Sequence, residues 1–149
     1  MQIRSKLTNG VLIILIALLH LQLAVSADAF GTVFRSFARS GFYKISGGLN
    51  ELPFVPGVTN TDTFAAFWFF YFGVMLIPLG LLIHTVEKHQ KALPPAFTVA
   101  YLLVVAMGSY MIPASGMTCI MLPHAVYMLA VNIYKARKAA HTHNSRPGR

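Results

Sequence analysis

The sequence predicts an all-α, membrane-embedded four-helix bundle with a short interfacial helix in its first loop. Three observations predict it. Apolar runs of roughly 18 residues or more recur along the chain, and a bilayer core needs about 20 helical residues to cross. Hydrophobic residues make up 56% of the 149 and charged residues only 11%, about half the charged share of a soluble domain. The four acidic residues, Asp28, Glu51, Asp62 and Glu87, all lie outside the apolar runs. A chain of this length is enough for a single integral membrane domain.

The first span covers about residues 10–26, behind Arg4 and Lys6. It also has the marks of a secretory signal, with Val25-Ser26-Ala27 as a small-residue cleavage site. His20 and Gln22 interrupt its apolar character, however. Ala17, Ala24 and Ala27 share a helical face with His20, which suits close helix packing. A retained span is therefore the expectation.

Residues 27–62 form a connecting loop. Phe30, Val33, Phe34 and Phe37 have the i, i+3, i+4, i+7 spacing of an amphipathic helix, and Arg35 and Arg39 lie off that face. The pattern predicts a short helix in the membrane interface, apolar side down. Gly41, Gly47, Gly48, Pro53, Pro56 and Gly57 then interrupt regular structure.

The second span, about residues 63–84, opens on Phe64, Phe67, Trp68, Phe69, Phe70, Tyr71 and Phe72, an aromatic cluster suited to the interface. Ala66, Gly73 and Gly80 recur every seven residues and keep one face small. Pro78 frees the carbonyl of Val74 and predicts a kink. A charged turn from Glu87 to Lys91 leads to Pro94-Pro95, well placed at a helix start. The third span covers about residues 95–112, with Ala96, Ala100 and Gly108 at multiples of four. Pro113-Ala114-Ser115-Gly116 makes a turn. The fourth span occupies about residues 115–134, and a basic tail follows over 135–149.

Lysine and arginine set the orientation. Two precede the first span, two lie between the second and third, five follow the fourth, and three occupy the 27–62 loop. Both termini are thus expected in the cytoplasm. The formal charge of +8 reads as a topology signal and anionic-lipid contact. A folded basic domain with stacking aromatics is missing, so nucleic acid is not an expected partner. With Cys119 as the one cysteine, no internal disulfide can form.

Ionisable groups at membrane depth are functional candidates by default. His20 and His124 each lie about ten residues into a span, near the midplane at about 1.5 Å per residue. Met117, Met121, His124, Met128 and Asn132 form one helical stripe. Pro123 leaves the carbonyl of Cys119 without its helical partner, and Tyr127, one turn from His124, is within hydrogen-bonding reach of it. The intramembrane polar candidates are accordingly His20, His124, Tyr127 and Asn132.

Three readings compete for the stripe. Methionine fills gaps between helices, and a neutral histidine donates one bond across the bundle. A haem held between His20 and His124 is the second. The third is a Cu(I) site drawn from His20, His124, Met117, Met121 and Met128, since thioether and imidazole suit that ion. His84, His89, His141 and His143 read as solvated. Nucleophile elbows, phosphate-binding glycine loops and zinc-type His-Glu pairs are absent, so no catalytic residue is nominated. A proton-coupled exporter would carry a carboxylate within a span, and none is seen.

Leu18-Leu19-His20, Ala66-Phe67-Trp68-Phe69, Gly73 with Gly80, and Pro113-Ala114-Ser115-Gly116 together carry a resemblance. Over about residues 8–134 the chain resembles a family of small, uncharacterised four-helix bacterial membrane proteins, loosely similar to DoxX-like proteins. The resemblance implies a multi-pass architecture in the bacterial plasma (inner) membrane and no particular activity. The expected function is non-enzymatic: contact with the lipid bilayer and with a membrane protein partner or a second copy. A redox accessory binding haem or Cu(I) between the first and fourth spans is the alternative.

Overall fold

The computed structural model describes residues 7–28, 30–41, 61–90 and 92–144, and the regular structure among them is all helical. The helices are α1 (Asn9–Val25), α2 (Gly31–Gly41), α3 (Thr61–Gln90), α4 (Pro95–Met111) and α5 (Leu122–Asn144), the last entered through a π-helical turn at Met117–Met121. Two helical stretches, Thr61–His89 and Thr118–Lys138, are long and apolar enough to cross a membrane. Asn9–Val25 and Pro95–Met111 are apolar but shorter. The loop breakers Gly47, Gly48, Pro53, Pro56 and Gly57 lie outside the described residues.

Two helices run further than hydropathy predicts. Residues 87–90 continue α3, where their charge suggests a turn. Glu87-Lys88-His89-Gln90 contains no breaker, and the first one comes at Pro94. At 30 residues, α3 is about 45 Å long. Likewise α5 continues through Lys135-Ala136-Arg137-Lys138-Ala139-Ala140, a run of strong helix formers, to Asn144.

The chain divides into two compact units, Met1–Ile16 with Leu79–Arg149, and Ala17–Pro78. In the first, α4 turns Thr98, Val105 and Ser109 inward. Val105 packs with Met121 and Ala125, and Ile16, Tyr101, Leu102 and Leu122 border them. Ala96 and Ala100 are exposed; the hydroxyl-bearing face is the buried one. Gly10 and Gly80 let two backbones meet. A Cβ on Gly80 would lie 2.6 Å from Ile14 and 2.8 Å from the carbonyl oxygen of Gly10, and one on Gly10 would lie 2.7 Å from Cα of His84.

In the second unit α2 lies on α3. Phe30 contacts Phe69 with ring centroids 5.0 Å apart, and Phe34 contacts Phe70 at 4.7 Å. Phe30 and Phe34, on the apolar side of α2, thus pack on α3, and aromatic pairs contribute beyond their buried area. The side chain of Phe37 lies outside the described residues. Ala17, Ala24 and Ala66 are fully buried, so small residues do mark contact faces here.

Candidate functional site

The densest polar constellation is built around Glu87. The first N–H groups of a helix lack intrahelical partners and attract an anion, yet α1 has no acidic residue in its first turn. Glu87 of α3 supplies one. Its Oε2 accepts from the backbone N–H of Asn9 at 2.7 Å and of Gly10 at 3.4 Å, and its Oε1 accepts from Nδ2 of Asn9 at 2.7 Å. Thr8 completes the cap, its hydroxyl accepting from Val11 N–H at 3.3 Å and lying 2.7 Å from Nδ1 of His84. Lys135 of α5 donates to Oε1 of Glu87 at 3.2 Å, with the carboxylate side chain 3% exposed and the lysine 38%. One buried carboxylate thus ties α1, α3 and α5 together. Oδ1 of Asn9 is buried without a partner among the described residues.

Asn132 is a second lock. Its Nδ2 donates to the carbonyl of Leu93 at 2.7 Å, and its Oδ1 accepts from the Leu93 N–H at 2.8 Å. The carboxamide satisfies both groups of one peptide residue in the α3–α4 connection. Pro94 and Pro95 follow and have no N–H to offer, so Leu93 is the last donor before α4.

His124 is buried with Met121, Ala125 and Met128. Its Nδ1 lies 3.4 Å from the hydroxyl of Tyr101, at the long limit of a hydrogen bond, with the two rings edge to face at 6.0 Å. Nε2 has no partner among the described residues. The π-helical turn Met117–Met121 precedes it. Such turns absorb one extra residue and accompany functional sites more often than chance; here the turn falls where Pro123 cannot donate to Cys119. Met121, His124, Met128 and Asn132 share the inward face, as their spacing predicts. The side chain of Met117 lies outside the described residues. Tyr127 is 51% exposed, and the hydroxyl beside His124 comes from Tyr101 of α4 instead.

Residues 4–134 match one family model. The chain belongs to DUF6463, a family of unknown function. No curated protein and no solved structure matches it. Membership therefore assigns no residue of this DUF6463 chain a role, and chemistry has to be read from the contacts themselves.

His20 belongs to the other unit and has its own partners. Nε2 donates to the carbonyl of Phe69 at 2.7 Å, which fixes the proton on that nitrogen because a carbonyl can only accept. The ring stacks on Phe69 with centroids 4.0 Å apart. Gly73 clears the space, since a Cβ there would lie 2.9 Å from Cδ2 of His20. Among the described residues no group of three or more His, Cys, Asp and Glu is placed to hold a metal ion.

Sequence reasoning missed Glu87, Asn9, Thr8, Tyr101 and the role of His84, which is half-buried against Thr8 rather than solvated. One signal for the first was present. Thr8-Asn9-Gly10 opens a helix with no acid of its own, and antiparallel spans would bring the end of α3 beside it.

Proposed function

We propose that this DUF6463 chain is a multi-pass integral membrane protein of a bacterial plasma membrane, DoxX-like in the layout of its spans. It works by contact with lipid and with a membrane partner or second copy, without catalysis. The distribution of side chains carries this reading. Twenty-four large hydrophobic residues are exposed among the described residues, against twelve buried hydrophobics, while Asn9, Glu87, Thr98, Ser109, His124 and Asn132 are buried. In water such a surface would aggregate; in lipid it is the ordinary arrangement, with polar groups turned inward to find partners. α1, α3, α4 and α5 are the four spans, with both termini in the cytoplasm.

Fractionation tests this directly. The protein should stay with membranes through alkaline carbonate and leave with detergent, and a C-terminal tag should be protected in intact cells. Release by carbonate alone would refute the reading. The contacts of Asn9 with Glu87 and the Gly10–Gly80 approach support α1 as a retained span, since its removal would strip Glu87 of its Asn9 and Gly10 donors and leave it Lys135 alone. Intact mass of the purified protein should therefore include residues 9–25.

A second reading rests on His124. Its unpartnered Nε2 beside Met121 and Met128 is the donor set a soft ion such as Cu(I) prefers, and an imidazole nitrogen is also a haem ligand. Purified protein carrying copper or a haem absorption band that His124→Leu removes would establish it; copper-free, spectrally featureless protein from supplemented cells would retire it.

A further inference from the structure

We propose that the polar face of α2 is a docking site for the phosphodiester of an anionic phospholipid, held by Arg35 and Arg39. The inference rests on the membrane reading above and names its lipid. With Phe30 and Phe34 engaged by α3, the opposite face of α2 presents Thr32, Arg35, Ser36 and Arg39, at i, i+3, i+4 and i+7. These four line an open cleft of about 520 Å³. Residues 31–41 include no carboxylate, so both guanidinium charges go uncompensated within the helix.

Geometry favours a phosphate oxygen pair. Nε of Arg35 donates to the carbonyl of Gly31 at 3.0 Å. That bond holds the guanidinium along the helix and leaves its Nη groups to form a planar fork. Such forks match the two non-bridging oxygens of a phosphodiester, and Thr32 adds a hydroxyl donor. A separate observation sets the depth. Trp68 and Tyr71, on either side of the Phe69–Phe70 pair that receives α2, are 48% and 42% exposed. Trp and Tyr concentrate at the headgroup level of a bilayer, and this aromatic run opens α3 beside α2. Arginines at that level meet lipid phosphate, and an anionic lipid brings net charge that a zwitterionic one lacks.

Trp68 is the one tryptophan, so it reports on this neighbourhood. The full-length protein would be reconstituted in phosphatidylcholine vesicles containing brominated-chain phosphatidylglycerol or brominated-chain phosphatidylcholine, and Trp68 quenching followed against mole fraction. At roughly fivefold per arginine near a charged lipid surface, the parent should prefer the anionic lipid by about 5- to 25-fold. Arg35→Gln with Arg39→Gln should abolish the preference while leaving quenching by brominated phosphatidylcholine and the helical circular dichroism unchanged. Equal quenching by both lipids in the parent, or a preference that survives the double substitution, overturns the proposal and leaves the membrane reading standing. Absence of quenching by either lipid overturns both. Millimolar inorganic phosphate should leave the preference intact; if it erases the preference, the site takes a soluble anion and the lipid assignment falls.

Discussion

Consider Glu87→Ala. The substitution bares two buried donors at 2.7 Å, the backbone N–H and Nδ2 of Asn9, each costing about 1–3 kcal/mol when left unmet. The Gly10 contact at 3.4 Å is too long to count in full. Loss of an anion at a partly buried helix N-terminus adds about 1 kcal/mol. Lys135 is 38% exposed, so solvent takes over its charge and its share stays below about 1 kcal/mol. Together these give about 4 kcal/mol, or roughly three orders of magnitude in the unfolding constant. Glu87→Gln keeps the shape and one acceptor and relieves some charge desolvation, which places it near about 2 kcal/mol. Asn9→Ala should be milder than either. It removes one bond and, with it, the unpartnered buried Oδ1, two effects of similar size and opposite sign. The assay is loss of helical circular dichroism on titrating detergent-solubilised protein with dodecyl sulfate. An order of Glu87→Ala, Glu87→Gln, Asn9→Ala from most to least destabilised is expected. Parental midpoints for both Glu87 variants would refute the argument that this carboxylate holds the helices.

Three more substitutions probe other contacts. Asn132→Ala strips both groups of Leu93 and should cost about 2–4 kcal/mol, with faster hydrogen exchange at the Leu93 amide; unchanged exchange there would contradict the lock. Gly10→Ala drives a methyl into the backbone of α3 and should cost more than the 1–3 kcal/mol usual for overpacking, whereas Gly116→Ala meets nothing within 4 Å and should match the parent by the same titration. If His124 serves packing alone, His124→Leu shifts stability by less than about 1 kcal/mol, since it replaces a half-satisfied buried polar group with an apolar one. A loss beyond about 3 kcal/mol together with lost copper would instead identify a metal ligand.

The helices were legible because hydropathy and periodicity are local. Eight residues decide that Phe30–Phe37 is amphipathic, and about twenty decide an apolar run. Their partners were not legible. Phe34 meets Phe70 of α3, and nothing within residues 30–37 encodes that. Tyr127 looked like the partner of His124 because sequence displays only neighbours on the same helix. Tyr101 comes from another helix, and its rotation about the axis is fixed by packing of Val105 against Met121 and Ala125. Glu87 read as the start of a charged turn for the same reason: its Asn9 partner lies 78 positions away. Asn132 was recognised as an inward polar residue from its stripe, but its dependence on Leu93, 39 positions away, was beyond any periodic signal.

Those separations have a consequence for how the protein is made. A ribosome adds about 5–20 residues per second, so roughly 4–16 s pass between synthesis of Asn9 and of Glu87. Throughout that interval the start of α1 carries N–H groups whose carboxylate does not yet exist. Lys135 and Asn132 arrive later still, and with them the pairing of Leu93. Biogenesis therefore has a fixed order of closure: α1 waits for α3, and the α3–α4 connection waits for α5. If the chain is inserted as proposed, an insertase that shields the first helix until the second half emerges would relieve the longest of these delays.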